Sequence, residues 1–192
     1  MKSLSPEQAA QYLADVGMEI GEWNRVAIAP RKNAKSKPNW MNFAAPGEAS
    51  ELLCFSYWVA SWLPKGKWKL FQIDDSTSLS PAEASICNRI AALHPDAPSL
   101  ANGSSYIFEF GADEQANFQQ ELVIANLIFA FLLFEAHAYL VSSESDQGQC
   151  LGMQDGFVYF SAYGEKVSGA SQVLESFKLN PLTYPDWVSQ FD

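Results

Sequence analysis

Glu135 and His137 are the residues of this chain whose types and spacing come nearest to a reaction centre. On an extended segment, side chains two positions apart leave the same face. That would let the two act as an acid–base pair or as two metal ligands. The plainer reading is a polar strand edge, because a metal site needs further ligands and the sequence groups none around them. Asp74 and Asp75 form a second group. They follow a segment that alternates like a strand, where a carboxylate can serve as an active-site acid or simply cap a turn. Asp74, Asp75, Glu135 and His137 therefore define a candidate cleft for a small enzyme or a small-molecule-binding protein, on condition that they converge in space. His94 stands seven residues after Cys87, two helical turns away. This is a weaker metal pair, set against a histidine placed favourably for a helix C-terminus. Asn126 interrupts the apolar run Leu122 to Phe134. A buried amide must find hydrogen-bond partners, so Asn126 would bond to backbone, specify a packing register or touch a ligand.

Motifs with a fixed mechanism do not occur. The chain contains neither G-x-x-x-x-G-K-[ST] nor G-x-G-x-x-G, so no phosphate-cradling loop is expected. It lacks G-x-S-x-G, the nucleophile elbow. A calcium loop aligned on Gly148 would draw ligands from Ser143, Ser145 and Gln147, and none of these is a carboxylate. The expectation is no catalytic residue, no metal and no cofactor.

The segments that must position these residues begin with Ser5-Pro6-Glu7-Gln8, a capping box with proline at the first helical position, which predicts a helix from Pro6 to Val16 stopped by Gly17. Trp23 to Ile28 reads as a short extended segment. From Pro30 to Pro46 the chain has no sustained period and carries four basic residues with Trp40 and Phe43, which predicts a long basic loop. Leu52, Phe55, Val59 and Leu63 recur at helical spacing within Pro46 to Leu63. Lys67 to Ile73 alternates as a half-buried strand. Ser80-Pro81-Ala82-Glu83 is a second capping box and opens a helix to about Leu93. Tyr106 to Phe110 is a strand, and Asp113 to Phe134 is a long helix, too short in its apolar run for a membrane span of roughly 20 residues. A change of period after Phe134 predicts that this helix passes directly into a strand ending near Ser143. Cys150 to Met153 and Gly156 to Ser161 form a hairpin around Asp155-Gly156. Ser168 to Phe177 is a last amphipathic helix, followed by an aromatic tail at 181–192. The order predicts a single α+β domain over 1–192. Its sheet would be mixed but mostly antiparallel, of four to six strands, with a buried central helix at about 113–134 on its face.

At 192 residues, 48% hydrophobic and 18% charged, the chain can bury about 70% of its unfolded surface without staples. Its three cysteines, Cys54, Cys87 and Cys150, are widely spaced and suit a reduced, cytoplasmic setting. The opening MKSLSPEQAA does not match a signal peptide, so the sequon Asn102-Gly103-Ser104 reads as a turn. Net charge is −10, which argues against nucleic-acid and anionic-membrane partners because both require a basic face. The charge is also segregated. Residues 1–69 carry nine Lys/Arg against six acids, whereas the rest carries three against sixteen, with no Lys or Arg between Arg89 and Lys166.

In size, acidity and α+β pattern the chain resembles bacterial immunity proteins. That resemblance implies a non-enzymatic cytoplasmic protein that neutralises a cognate basic toxin, with no individual residue carried over. The acids expected to meet such a partner are Glu109, Asp113, Glu114, Glu144, Asp146 and Asp155. A structural alternative is a homodimer in which the basic first third of one copy meets the acidic remainder of another.

Overall fold

Serine followed by proline starts two helices as the sequence requires. In the computed structural model, which describes residues 1–20, 28–30, 38–63, 66–142, 148–163 and 168–181, both predicted capping boxes are complete. Ser5 caps α1 (Pro6–Asp15) together with Gln8, and Ser80 caps α3 (Pro81–Ala91) together with Glu83. The other helices are α2 (Ala49–Trp62), α4 (Glu114–Leu133) and α5 (Ser168–Phe177). Asp113 caps α4 by accepting from the backbone N–H of Gln115 and Ala116, which adds negative charge at the positive end of the helix dipole.

The strands are β1 (Lys2–Leu4), β2 (Met18–Ile20), β3 (Ile28–Pro30), β4 (Pro38–Ala44), β5 (Trp68–Ile73), β6 (Ser105–Glu109), β7 (Ala138–Ser142), β8 (Gln149–Gln154) and β9 (Phe157–Tyr163). Seven of them form one sheet in the order β1-β6-β5-β7-β8-β9-β4, and β2 pairs with β3 apart from it. The fold is α+β, as expected, but the sheet exceeds the four to six strands predicted. Every described pairing is antiparallel, so the sheet is not mixed. The added strands are the short β1, held only by pairing with β6, and β4, which lies inside the stretch read as a basic loop at 30–46. A proline at its first position and place at the sheet edge make β4 possible without a clear alternating pattern. Residues 31–37 of that stretch, the segment 21–27 and the tail from 182 lie outside the described residues.

Each face of the sheet has its own cover. On one face, Leu52, Phe55 and Val59 of α2, Cys87 of α3, Ile124, Ile128 and Phe131 of α4, and Val173 of α5 pack on Phe71, Phe108, Leu140, Leu151 and Phe160. On the other, Ala9 and Leu13 of α1, with Val16, Met18 and Ile28, pack on Leu70, Val141 and Cys150. Gly148 lets these parts approach: its N–H donates to Val16 O at 2.7 Å, and a Cβ there would lie 2.9 Å from Met18 Cγ. Covered on both faces, β5 is almost wholly buried rather than half-buried. Lys69, expected at the surface, is buried with Nζ donating to Ala60 O at 3.2 Å near the end of α2 and lying 5.5 Å from the Phe110 ring centroid.

The central helix does not run directly into a strand. Ala136 N–H bonds Phe131 O and Glu135 N–H bonds Leu132 O, with Glu135 left-handed at φ 53°. These are the two bonds of a Schellman stop. Glu135 and His137 therefore sit in a turn before β7, and the expectation that both lie on one strand is overturned. Asn126 bonds to backbone as expected, donating to Leu122 O at 2.7 Å, and also to Tyr57 Oη at 3.1 Å, but it is half-buried rather than buried.

Candidate functional site

Ile73 pairs with Ala138, Ala138 with Met153, and Met153 with Val158. This register brings three turns to one end of the sheet: Asp74–Thr77 after β5, Glu135–His137 before β7, and Asp155-Gly156 between β8 and β9. Asp155 and Gly156 have φ 51° and 76°, the pair of positive values that a tight type I′ hairpin needs and that Asp-Gly supplies.

A chain of hydrogen bonds ties the turns together. Asp74, 2% exposed, accepts from Ser76 N–H at 2.7 Å and from Ser76 Oγ at 2.6 Å. Ser76 Oγ also lies 3.2 Å from His137 Nδ1, and His137 Nε2 lies 2.9 Å from Asp155 Oδ1. Thr77 Oγ1 donates to His137 O at 2.6 Å and accepts from His137 N–H at 3.2 Å. Asn102 donates to Thr77 O. Glu135 and Asp75 border the cluster. A Cβ on Gly156 would lie 3.9 Å from Glu135 Cγ, and one on Gly103 would lie 3.3 Å from Asp75 Cβ. Asp75, Glu135 and Asp155 are exposed.

Asp74, Asp75, Glu135 and His137 thus gather at one end of the sheet, joined by Asp155. Sequence reasoning missed Ser76, Thr77 and Asn102. The turn cluster after the Lys67 to Ile73 segment pointed to Ser76 and Thr77, whereas Asn102 is brought in only by the fold. Serine, histidine and aspartate in sequence suggest a nucleophile with its base, but the hydroxyl has a single proton. The shorter, charge-assisted bond assigns that proton to Asp74. The cluster holds turns together and leaves its exposed carboxylates facing outward.

Beside it, one row crosses the sheet from Leu4 through Ser105, Gln72, Tyr139, Gly152 and Tyr159 to Asn42. The side-chain oxygens of Gln72 and Asn42 are buried without a hydrogen-bond partner. The Tyr139 ring lies over Gly152, where a Cβ would come within 3.3 Å of its Cε1. Burial raises the pKa of Tyr139 above the ordinary value of 10.0, and Asp74 pushes it further. Burial and then Asp155 do the same for Tyr159. Both phenols therefore keep their protons beside the carboxylates.

No protein-family model, no curated protein and no solved structure matches the chain. Function therefore has to be argued from the geometry.

Of the six acids expected to meet a partner, the four described ones do not lie at one end of the sheet. Asp155 belongs to the cluster. Glu109 pairs across from Trp68 at the opposite end of β5, and Asp113 and Glu114 follow it at the start of α4. Glu109 is bonded to Lys2, and Asp113 is engaged as a cap. Glu144 and Asp146 lie outside the described residues. Cys87 is buried, its thiol pushed up to about 11 by burial, and His94 Nδ1 lies 2.7 Å from Pro95 O. Among the described residues, no three His, Cys, Asp or Glu side chains are grouped to hold a metal ion.

Proposed function

We propose that this chain is a non-enzymatic, cytoplasmic binding protein that presents the Asp75–Glu135–Asp155 end of its sheet to a basic protein partner, in the manner of bacterial immunity proteins toward a toxin. The observation that carries this reading is the convergence of three turns, which brings three exposed carboxylates to the end of the sheet that holds His137. Among the described residues, no Lys or Arg forms an ion pair with them. Half-buried Tyr159 extends the region with a protonated phenol near Asp155, and tyrosine is a residue type that anchors protein interfaces.

Acids at the rim of such an interface speed association and exclude wrong partners, and their effect falls with salt. The test is binding of a basic toxin encoded beside this chain, followed by surface-immobilised kinetics. The triple variant Asp75→Asn, Glu135→Gln, Asp155→Asn should bind about tenfold more weakly, since exposed charge pairs contribute roughly 0.2–1 kcal/mol each. Most of that loss should appear as a slower on-rate. Binding unaltered by the triple variant and by salt would refute the reading.

The rival small-molecule or enzymatic reading gains one specific observation, the contact of Ser76 with His137 at 3.2 Å. It requires Ser76→Ala to abolish a measured turnover while leaving partner binding intact.

A further inference from the structure

Helix α4 is apolar on the side where a helix packed on a sheet ordinarily carries charge. From Leu122 onward, the only residues of α4 that escape burial are Leu122, Asn126, Phe129 and Leu133, spaced four, three and four apart. Phe118 lies one turn earlier and is 59% exposed, and Leu133 is 45% exposed. None of the five is charged. By length and composition α4 would even pass as a membrane span, yet only 50% of its apolar 18-residue stretch is buried.

Helix α2 continues this surface through the Asn126–Tyr57 bond, and α3 adds exposed apolar side chains of its own. α2 and α3 both pack on α4. Leu53 and Tyr57 of α2 are exposed, as are Ile86 of α3 and Leu93 just beyond it. Arg89 is the one exposed charge between Ile86 and Leu93. With roughly 100 Å2 uncovered on each large side chain, these residues together expose on the order of 600 Å2 of apolar surface. That is at the upper end of the roughly 300–600 Å2 that the largest apolar patch of a monomer exposes and approaches the roughly 800 Å2 that each partner buries in a stable complex.

We infer that this face of the helical layer is a homodimer interface, with α4 of one copy packed across α4 of a second about a two-fold axis near Asn126. Three observations select a second copy as the occupant. The five stripe residues are uncharged, with the half-buried Glu121 at the edge of the stripe, so two chains of net charge −10 can meet along it without carboxylates on the seam itself, which is what a self-facing surface requires. Its polar centre is complementary to itself. Asn126 spends its amide protons on Leu122 O and Tyr57 Oη, leaving its own carbonyl as an acceptor and the Tyr57 hydroxyl proton as a donor. A two-fold axis sets these against each other and defines the register, as a single polar residue does in a helical seam. A bilayer is disfavoured as occupant because interfacial helices draw on several flanking Lys and Arg, and among the described residues only Arg89 of α3 and Lys178, beside the start of α2, are basic residues near this face. This interface differs from the charge-swapped dimer expected from the sequence. It ends at Leu133, two residues before Glu135 of the acidic end, but shares no residue with that end, so variants confined to one surface tell the two apart.

The experiment is sedimentation equilibrium of the full chain at micromolar concentrations, with circular dichroism to verify folding. The wild-type protein is expected to sediment as a dimer. Leu133→Glu and Phe118→Glu, both at exposed positions, should each raise the dimer dissociation constant about tenfold or more. Tyr57→Phe, which removes only a hydroxyl, should weaken the dimer in the same direction, and it serves if a glutamate variant does not fold. Asp155→Asn should leave the dimer unchanged. A monomeric wild type overturns the inference, and so does a dimer that survives all three interface variants. A monomer that instead partitions onto phosphatidylcholine vesicles, and loses this with Leu133→Glu, overturns it in favour of a lipid surface.

Discussion

Glu135 holds two roles that pull against each other. It is the left-handed residue that stops α4, at φ 53°, a conformation that costs an ordinary L residue roughly 1 kcal/mol and glycine very little. It is also one of the exposed carboxylates of the acidic end. Glu135→Gly should therefore stabilise the protein by about 1 kcal/mol while weakening partner binding, measured by thermal melting and by binding kinetics on the same preparation. A loss of stability would mean that the side chain contributes more than its backbone strain costs. The cysteines permit a cleaner distinction. Burial pushes the thiols of Cys87 and Cys150 up to about 11 and about 12, and the thiolate is the reactive species, whereas Cys54 is exposed. Titration with a thiol-specific disulfide reagent near neutral pH should label one cysteine rapidly in the native protein and all three after denaturation. Rapid native labelling of two or more would contradict the burial of β8 or α3.

The helices were legible because their signals are local. Ser80 and Glu83 lie within one turn, and the bond each makes depends on no other part of the chain. Ser80→Ala should lower stability by about 1 kcal/mol, read from the midpoint of urea unfolding. The cap also has a pH signature. Hydrogen bonds from the Ser80 backbone and side chain hold the Glu83 carboxyl below its ordinary value of 4.5. A carboxyl whose folded pKa lies below its unfolded value stabilises the fold above the unfolded pKa, and that contribution is lost as pH falls through the folded one. The deficit of Glu83→Gln relative to wild type should thus be present at neutral pH and shrink below pH 4.5, as followed by thermal melts across an acid series. Strands were less legible. β1 has three residues and takes its partner, β6, from a hundred positions away, and β4 begins with proline and mixes asparagine with aromatics. Neither has a periodic pattern strong enough to announce itself, because an edge strand needs only one neighbour and part of one covered face.

Acidity belongs to the entire chain, but its placement is a property of the fold. If the acidic end meets a basic partner, the logarithm of the association rate should fall as ionic strength rises, while the dissociation rate changes little. A salt-insensitive on-rate measured by stopped flow would mean that these carboxylates serve only the turns. Composition, the two capping boxes, the Asp-Gly hairpin and the apolar run ending at Phe134 were sufficient for an α+β protein with a long central helix, since each is a local preference or a sum over residues. Sequence also singled out Asp74, Asp75, Glu135 and His137 by type. Three matters depended on contacts between distant segments. Strand register alone brought Asp155 to His137, 18 residues away, and Ser76 to His137, 61 away. It also sent Glu109 to the opposite end of the sheet, because antiparallel pairing places the start of β5 against the end of β6. The run that began as a core helix kept one side uncovered, since only packing decides which flanks of an apolar helix face the sheet and which await another surface.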